Sequence, residues 1–237
     1  MIRVARKKPR PKTAATSNNK RSARRNDARK TDEVTYRAAL DTGAARPHLR
    51  GMKASETDIL LIPGHGAPHQ DHWQNRWSGK LATARRVEQS SFMEPDRDAW
   101  VDAIRKAIAD AERPVVLVAH SLGIGAALHA LDGNADKIVG GFFVSPPDLT
   151  LKGPHKKIFE TFGPYPNAPL PFPSITVASQ NDIHGSYEHA GDVSNAWGSF
   201  LVDAGNSGHI DIDSGHGPWP EGTMVFAQFL SRLKPRN

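Results

Sequence analysis

The chain has 237 residues, enough for one sizeable domain and some extra material, and its hydrophobic fraction of 38% is low for a fully globular protein. It contains no cysteine, which excludes disulfides, a thiol nucleophile and cysteine-ligated metals and fits a reducing, cytoplasmic setting. The net charge of +6 divides unevenly: residues 1–51 hold 15 Lys and Arg against 4 Asp and Glu (+11), and the remaining 16 and 21 leave −5, so the basic character belongs to a tail.

Residues 1–55 read as that basic, disordered tail, rich in Lys, Arg, Asn, Ser and Thr, with a helical turn conceivable at 33–41. A basic arm of this kind can touch nucleic acid; an idle tail, or translation starting at Met52, is the preferred reading. No apolar run approaches the ~20 residues of a membrane span, so no membrane partner is expected.

From residue 56 the pattern alternates. Strands are expected at 59–62, 85–89, 115–119, 138–144, 175–178 and 199–202. Between them, helices are expected at 70–82, 96–111, 121–131 and 186–196, with a closing helix at 220–233. The stretch 150–172, rich in Pro and Gly, reads as an irregular loop or short lid, with Phe159, Phe162 and Tyr165 as candidates to face a substrate. Trp73 and Trp77 suit either core or pocket, with core preferred for at least one. Unbroken apolar strands alternating with helices indicate a roughly six-stranded, mainly parallel sheet covered on both faces, whose ligands bind beyond the carboxyl ends of the strands.

Chemistry-bearing residues should therefore follow the strands. In 115–123, VVLVAHSLG, a buried strand runs into Ser121 flanked by small residues, the setting of a nucleophile elbow with Ala119 where the first Gly of G-x-S-x-G would stand. An ordinary helix N-cap is the plainer reading of the same Ser. A Ser hydroxyl needs a base and the base needs an orienting acid. Asp182 follows the fifth strand and His209 the sixth, in the order Ser…Asp…His. His216 competes as base but lies further on, among prolines. For the oxyanion, the backbone amides of Leu122 and His65 are the expected donors, with Gly66 next after His65. His65, His69, Asp71 and His72 match no metal signature, and no nucleotide loop is present, so neither metal nor cofactor is expected.

The strings LIPGHG (61–66), DHWQNRW (71–77), RRVEQ (85–89), VVLVAHSLG (115–123), VSPPD (144–148), PFPSITVASQND (171–182), AWGSFLVDAGNSGHID (196–211) and SGHGPWPEG (214–222) resemble the small serine hydrolases grouped with bacterial YdeN and mammalian retinoblastoma-binding protein 9. The resemblance spans nearly all of 57–232 and none of the tail. It implies an alpha/beta-hydrolase fold and a Ser-Asp-His triad at Ser121, Asp182 and His209. Ile183 departs from it, standing where a Pro is expected after the acid. The combined expectation is a serine hydrolase acting on an ester or amide of a small-molecule acyl substrate. The alternative is a partner-binding protein on a hydrolase scaffold, its protein partner unidentified.

Overall fold

Runs of Val, Leu and Ile flanked by turn residues have nowhere to go but the middle of a sheet, and here they form its central strands, with a short strand at each edge. The computed structural model describes residues 51–66 and 69–235; the tail to residue 50, including the helical turn expected at 33–41, lies outside the described residues. The strands are β1 (Asp58–Ile62), β2 (Ala84–Arg86), β3 (Val115–His120), β4 (Ile138–Val144), β5 (Ser174–Ala178) and β6 (Phe200–Asp203). All are parallel, in the order β2-β1-β3-β4-β5-β6. The order reverses between β1 and β3, so the loops that leave these two strands part and open a crevice at their carboxyl ends.

The helices are α1 (Trp73–Lys80), α2 (Arg97–Ala109), α3 (Leu122–His129), α4 (Lys156–Thr161), α5 (Tyr187–Trp197) and α6 (Pro220–Leu230). Alternation along the strands divides the core in two. Leu60, Ile62, Leu117 and Ala119 face α2, α3 and α5, where Trp100, Ile104, Ile108 and Trp197 are buried. Ile59, Leu61, Val116 and Val118 face α1 and α6, where Trp73, Trp77, Phe226 and Phe229 are buried. Each Val, Leu, Ile or Phe side chain so taken out of water is worth about 1.5–3 kcal/mol. Local chemistry fixes helix starts: the Asp96 carboxylate accepts from the Ala99 amide at 2.8 Å, and the Ser186 hydroxyl from the His189 amide at 3.1 Å.

Four expectations need correction. Residues 51–55, assigned to the tail, belong to the folded body: Met52 is buried, its amide donates to Leu233 O at 3.2 Å, and Ala54–Glu56 form a 3-10 turn. β2 ends at Arg86 rather than 89, because only three residues pair with β1. β6 is an edge strand with Phe200 half exposed, not a buried one. The stretch 150–172 contains the helix α4, and two of its three rings are not turned toward a substrate. Phe162 is fully buried against Trp100 (centroids 5.4 Å apart), and Tyr165 packs edge-on to Trp197 while its hydroxyl donates to Pro147 O at 3.1 Å.

Candidate active site

β3 delivers Ser121 to a bend so tight that two glycines are obligatory. A Cβ on Gly123 would lie 2.4 Å from Pro63 O, and one on Gly64 would lie 2.7 Å from the Ser121 Cβ. Ser121 itself takes φ 54° and ψ −130°, outside the ordinary regions for a side-chain-bearing residue, a strain on the order of 1–3 kcal/mol. The neighbouring strand supports the bend, since the Ser121 amide donates to Val144 O at 3.0 Å. The hydroxyl makes no capping bond to α3, so the plain N-cap reading does not hold. It is turned instead toward His209, whose Nε2 lies 2.8 Å from Ser121 Oγ.

The other imidazole nitrogen of His209, Nδ1, sits 2.9 and 2.8 Å from the two oxygens of Asp182. A carboxylate only accepts, so Nδ1 carries the proton and Nε2 is left to accept from the Ser121 hydroxyl. Both partners are withdrawn from solvent, the Asp182 side chain to 2% exposure and His209 to 10%. Asp182 is aimed by its own loop, because its Oδ1 also accepts from the His184 amide at 2.9 Å.

The loops after β5 and β6 are tied to each other by side chains that sequence reasoning did not single out. Asn181 Oδ1 accepts from the Gly208 amide at 2.7 Å and from Ser179 Oγ at 2.8 Å, and Ser179 Oγ accepts from the Ser207 amide at 2.9 Å. The Gln180 amide donates to Gly205 O at 2.7 Å. From beneath, His120 Nε2 lies 2.9 Å from His209 O, and Trp73 Nε1 donates to Ile210 O at 2.9 Å. Burial, reinforced by the neighbouring His209 and His72, pushes the His120 imidazole well below the usual histidine range. It is therefore a neutral donor. From the side, the His184 ring stands edge-on to His209 at 4.5 Å. A polar His at the end of an otherwise apolar strand was the one signal available for His120.

Leu122 is the first residue of α3, so no helical turn uses its amide. The His65 amide follows Gly64, which abuts Ser121. The runner-up Gly66 amide is already committed to Phe92 O at 2.8 Å. The His65 ring is anchored at Met93 O (3.2 Å) and lies 4.8 Å from the ring of His155, just before α4, with Phe159 beyond. Burial lowers the His65 pKa, partly offset by the Met93 carbonyl. Beside Ser121 opens a cleft of about 350 Å³, bordered by Gly64, His65, His72, Gln74, His209 and Asp211 among others.

The structure brings Ser121, His209 and Asp182 together and leaves His216 apart, its amide bonded to Asp211 O at 2.8 Å and its ring edge-on to Trp219. Trp73 and Trp77 are both core. Among the described residues no group of three or more His, Asp or Glu could hold a metal ion, and no helix is long and apolar enough to cross a membrane.

A family model described as serine hydrolase matches residues 59–228. Among solved structures, a protein assigned as a YdeN-like hydrolase from Pectobacterium atrosepticum is 33% identical with a TM-score of 0.69, matched over 77% of this chain and 95% of its own. The ydeN gene product of B. subtilis is 20% identical with a TM-score of 0.62, over 75% and 100% of the two chains. An alpha/beta superfamily hydrolase from Oenococcus oeni is 14% identical with a TM-score of 0.54, over 74% and 92%. The last two are likenesses of fold, and they identify the sheet as that of an alpha/beta hydrolase. No curated protein sequence matches the chain.

Proposed function

The chain belongs to the serine hydrolase family, and from that premise we propose that it cleaves an ester or amide of a small acyl substrate through Ser121, His209 and Asp182. The observation that carries this reading is the continuous relay from Asp182 through His209 Nδ1 (2.8 Å) and Nε2 to Ser121 Oγ (2.8 Å). His209 Nε2 takes the hydroxyl proton as Oγ bonds to the substrate carbonyl carbon. The imidazolium then returns that proton to the leaving alcohol or amine as the scissile bond breaks, giving an acyl-enzyme. A water, deprotonated by the same nitrogen, attacks the acyl carbon, and Oγ leaves with the proton. Asp182 holds the tautomer and stabilises the transient cation. The amides of Leu122 and His65 are assigned to the oxyanion, each worth ~3–4 kcal/mol in the transition state.

The test is a fluorophosphonate probe followed by peptide mass mapping, alongside hydrolysis of p-nitrophenyl butyrate. The expected adduct is on Ser121, and Ser121→Ala is expected to lose both adduct and turnover. A folded wild-type protein that takes up no probe refutes the assignment.

A further inference from the structure

The cleft beside Ser121 has a one-sided charge. Two carboxylates, Asp211 and Asp213, border it, and among the described residues no Lys or Arg does. The guanidinium groups of Arg76, next in sequence to the bordering Asn75, and of Arg86, which donates to Asn75 Oδ1 at 3.2 Å, are each paired with a carboxylate: Arg76 with Asp71 at 2.8 Å and Arg86 with Glu88 at 2.8 Å. Burial pulls the Asp211 carboxyl up, but the Ser214 hydroxyl and amide more than offset this and hold it below the usual carboxylate range. Three of the histidines that border the cleft are held toward the neutral form. Burial holds His72 down at about 4, against the attraction of Asp211, and it also lowers His65 and His120. In a cleft with low-dielectric walls, such an unbalanced pair of charges concentrates ligands of the opposite sign.

A second, independent feature points the same way. Gln74 is 1% exposed, and its Nε2 donates to Ile62 O (3.2 Å), at the end of β1, and to Val118 O (3.1 Å), within β3. Two carbonyls require the amide nitrogen on that side, so the orientation of the amide is not arbitrary. The opposite end, Oε1, is buried without a partner on a side chain that borders the cleft. A buried acceptor left unmatched is a cost that a donor on a bound molecule offsets. Carboxylates and an amide oxygen are all acceptors, and their common complement is a protonated nitrogen.

We propose that the cleft selects a cationic nitrogen, so that the substrate is an ester or amide bearing an ammonium group a few bonds from the scissile carbonyl. The inference rests on Ser121 being the nucleophile. The cation is expected on the acyl or on the leaving side, and two matched pairs of esters separate these placements. On the acyl side, the p-nitrophenyl esters of Nα-acetyl-lysine and Nα-acetyl-norleucine differ mainly by the ammonium. On the leaving side, S-2-(dimethylamino)ethyl thioacetate, whose amine is protonated at neutral pH, is compared with its uncharged isostere S-3-methylbutyl thioacetate.

At low ionic strength the cationic member of at least one pair is expected to have a kcat/KM about tenfold higher. That ratio should fall toward unity at ~1 M salt, where charges more than about 3 Å apart are screened, and it should also fall in Asp213→Asn. Each ratio is taken on one protein preparation, so a change in the folded fraction cancels. Equal or inverted ratios in both pairs overturn the inference; if Ser121 still takes the fluorophosphonate and turns over the neutral esters, the nucleophile assignment stands. Absence of both labelling and turnover removes the nucleophile assignment and this inference with it.

Discussion

Two regions flank the Ser121 hydroxyl, and they are held in place by different physics. On one side the loops after β5 and β6 are bound to each other through Ser179, Asn181 and Gly205, and to the sheet through His120 and Trp73, by hydrogen bonds of 2.7–3.1 Å. On the other side residues 150–161 reach the site through rings. His155 and Phe159 lie against His65 at 4.8 and 6.4 Å, and Phe159 lies 6.3 Å from His184, while residues 150–155 are exposed. Hydrogen bonds specify direction and distance, and ring packing specifies little more than proximity. The acid and base are thus placed by a geometry that tolerates little change, whereas the wall opposite can be altered while still filling space.

The most damaging way to break the bonded side is to remove the reason for its tautomer. Asp182→Asn keeps the shape of the loop but offers an amide where Nδ1–H needs an acceptor. The expected loss is about 10⁴-fold in kcat, with little change in melting temperature. Steady-state kinetics beside thermal melts checks this, and a loss under tenfold would mean Asp182 does not orient His209.

Acid should attack the same side from below. His72 and His120 lie under the His209 loop with ring centroids 5.2 Å apart. His72 is held at about 4, below the 6.5 of an unperturbed histidine, by burial, with Asp211 pulling it up and His209 and His69 pushing it down. Between about 4 and 6.5 the unfolded chain takes up a proton that the folded chain refuses. Stability therefore rises with pH across that window, and is lost as pH falls from 6.5 toward 4. His72 alone is worth on the order of 2 kcal/mol at neutral pH, after allowance for its partial exposure. Its Nδ1 also accepts from the Gln74 amide at 3.3 Å, a bond that protonation abolishes. His72→Asn keeps a capping acceptor without the titration, so its melting temperature should fall less steeply between pH 7 and pH 4.5. Parallel curves for the two proteins would remove His72 as the cause.

The contrast between the two sides also explains what could be read in advance. β3, Ser121 and Gly123 were legible because one unbroken apolar run and a small-residue bend follow each other directly in the chain. The convergence of Asp182 and His209 was legible because a parallel sheet brings all its strand ends to one edge, so order along the chain becomes position in space. Asn181, His184 and Gln74 were not legible, since their roles depend on loops distant in the chain meeting in space, or on which way one amide faces. α4 escaped notice for a different reason. Its six residues, KKIFET, are too short to show a helical period, and the surrounding Pro and Gly suggested a loop. The tail was misjudged at its end because Met52 is a single apolar residue among polar ones, and nothing local reveals that it docks beside Leu233.

The smallest expected effects test the comparison most directly, because they pit one side against the other at matched severity. Asn181→Ala deletes the acceptor for Gly208 N and Ser179 Oγ, at a cost of about 1 kcal/mol in stability. Gly208 immediately precedes His209, so slack there moves the imidazole, and about a tenfold fall in kcat is expected. Phe159→Leu keeps most of the buried volume and costs under about 1.5 kcal/mol, a comparable disturbance to the fold. It removes ring contacts but no directed bond, so its kcat should stay within about threefold of wild type and any change should fall on KM. Measuring kcat, KM and melting temperature for both variants separates rate from stability. If Phe159→Leu lowers kcat as far as Asn181→Ala at equal loss of stability, the ring-packed wall is as strictly placed as the bonded loops, and the distinction between the two sides fails.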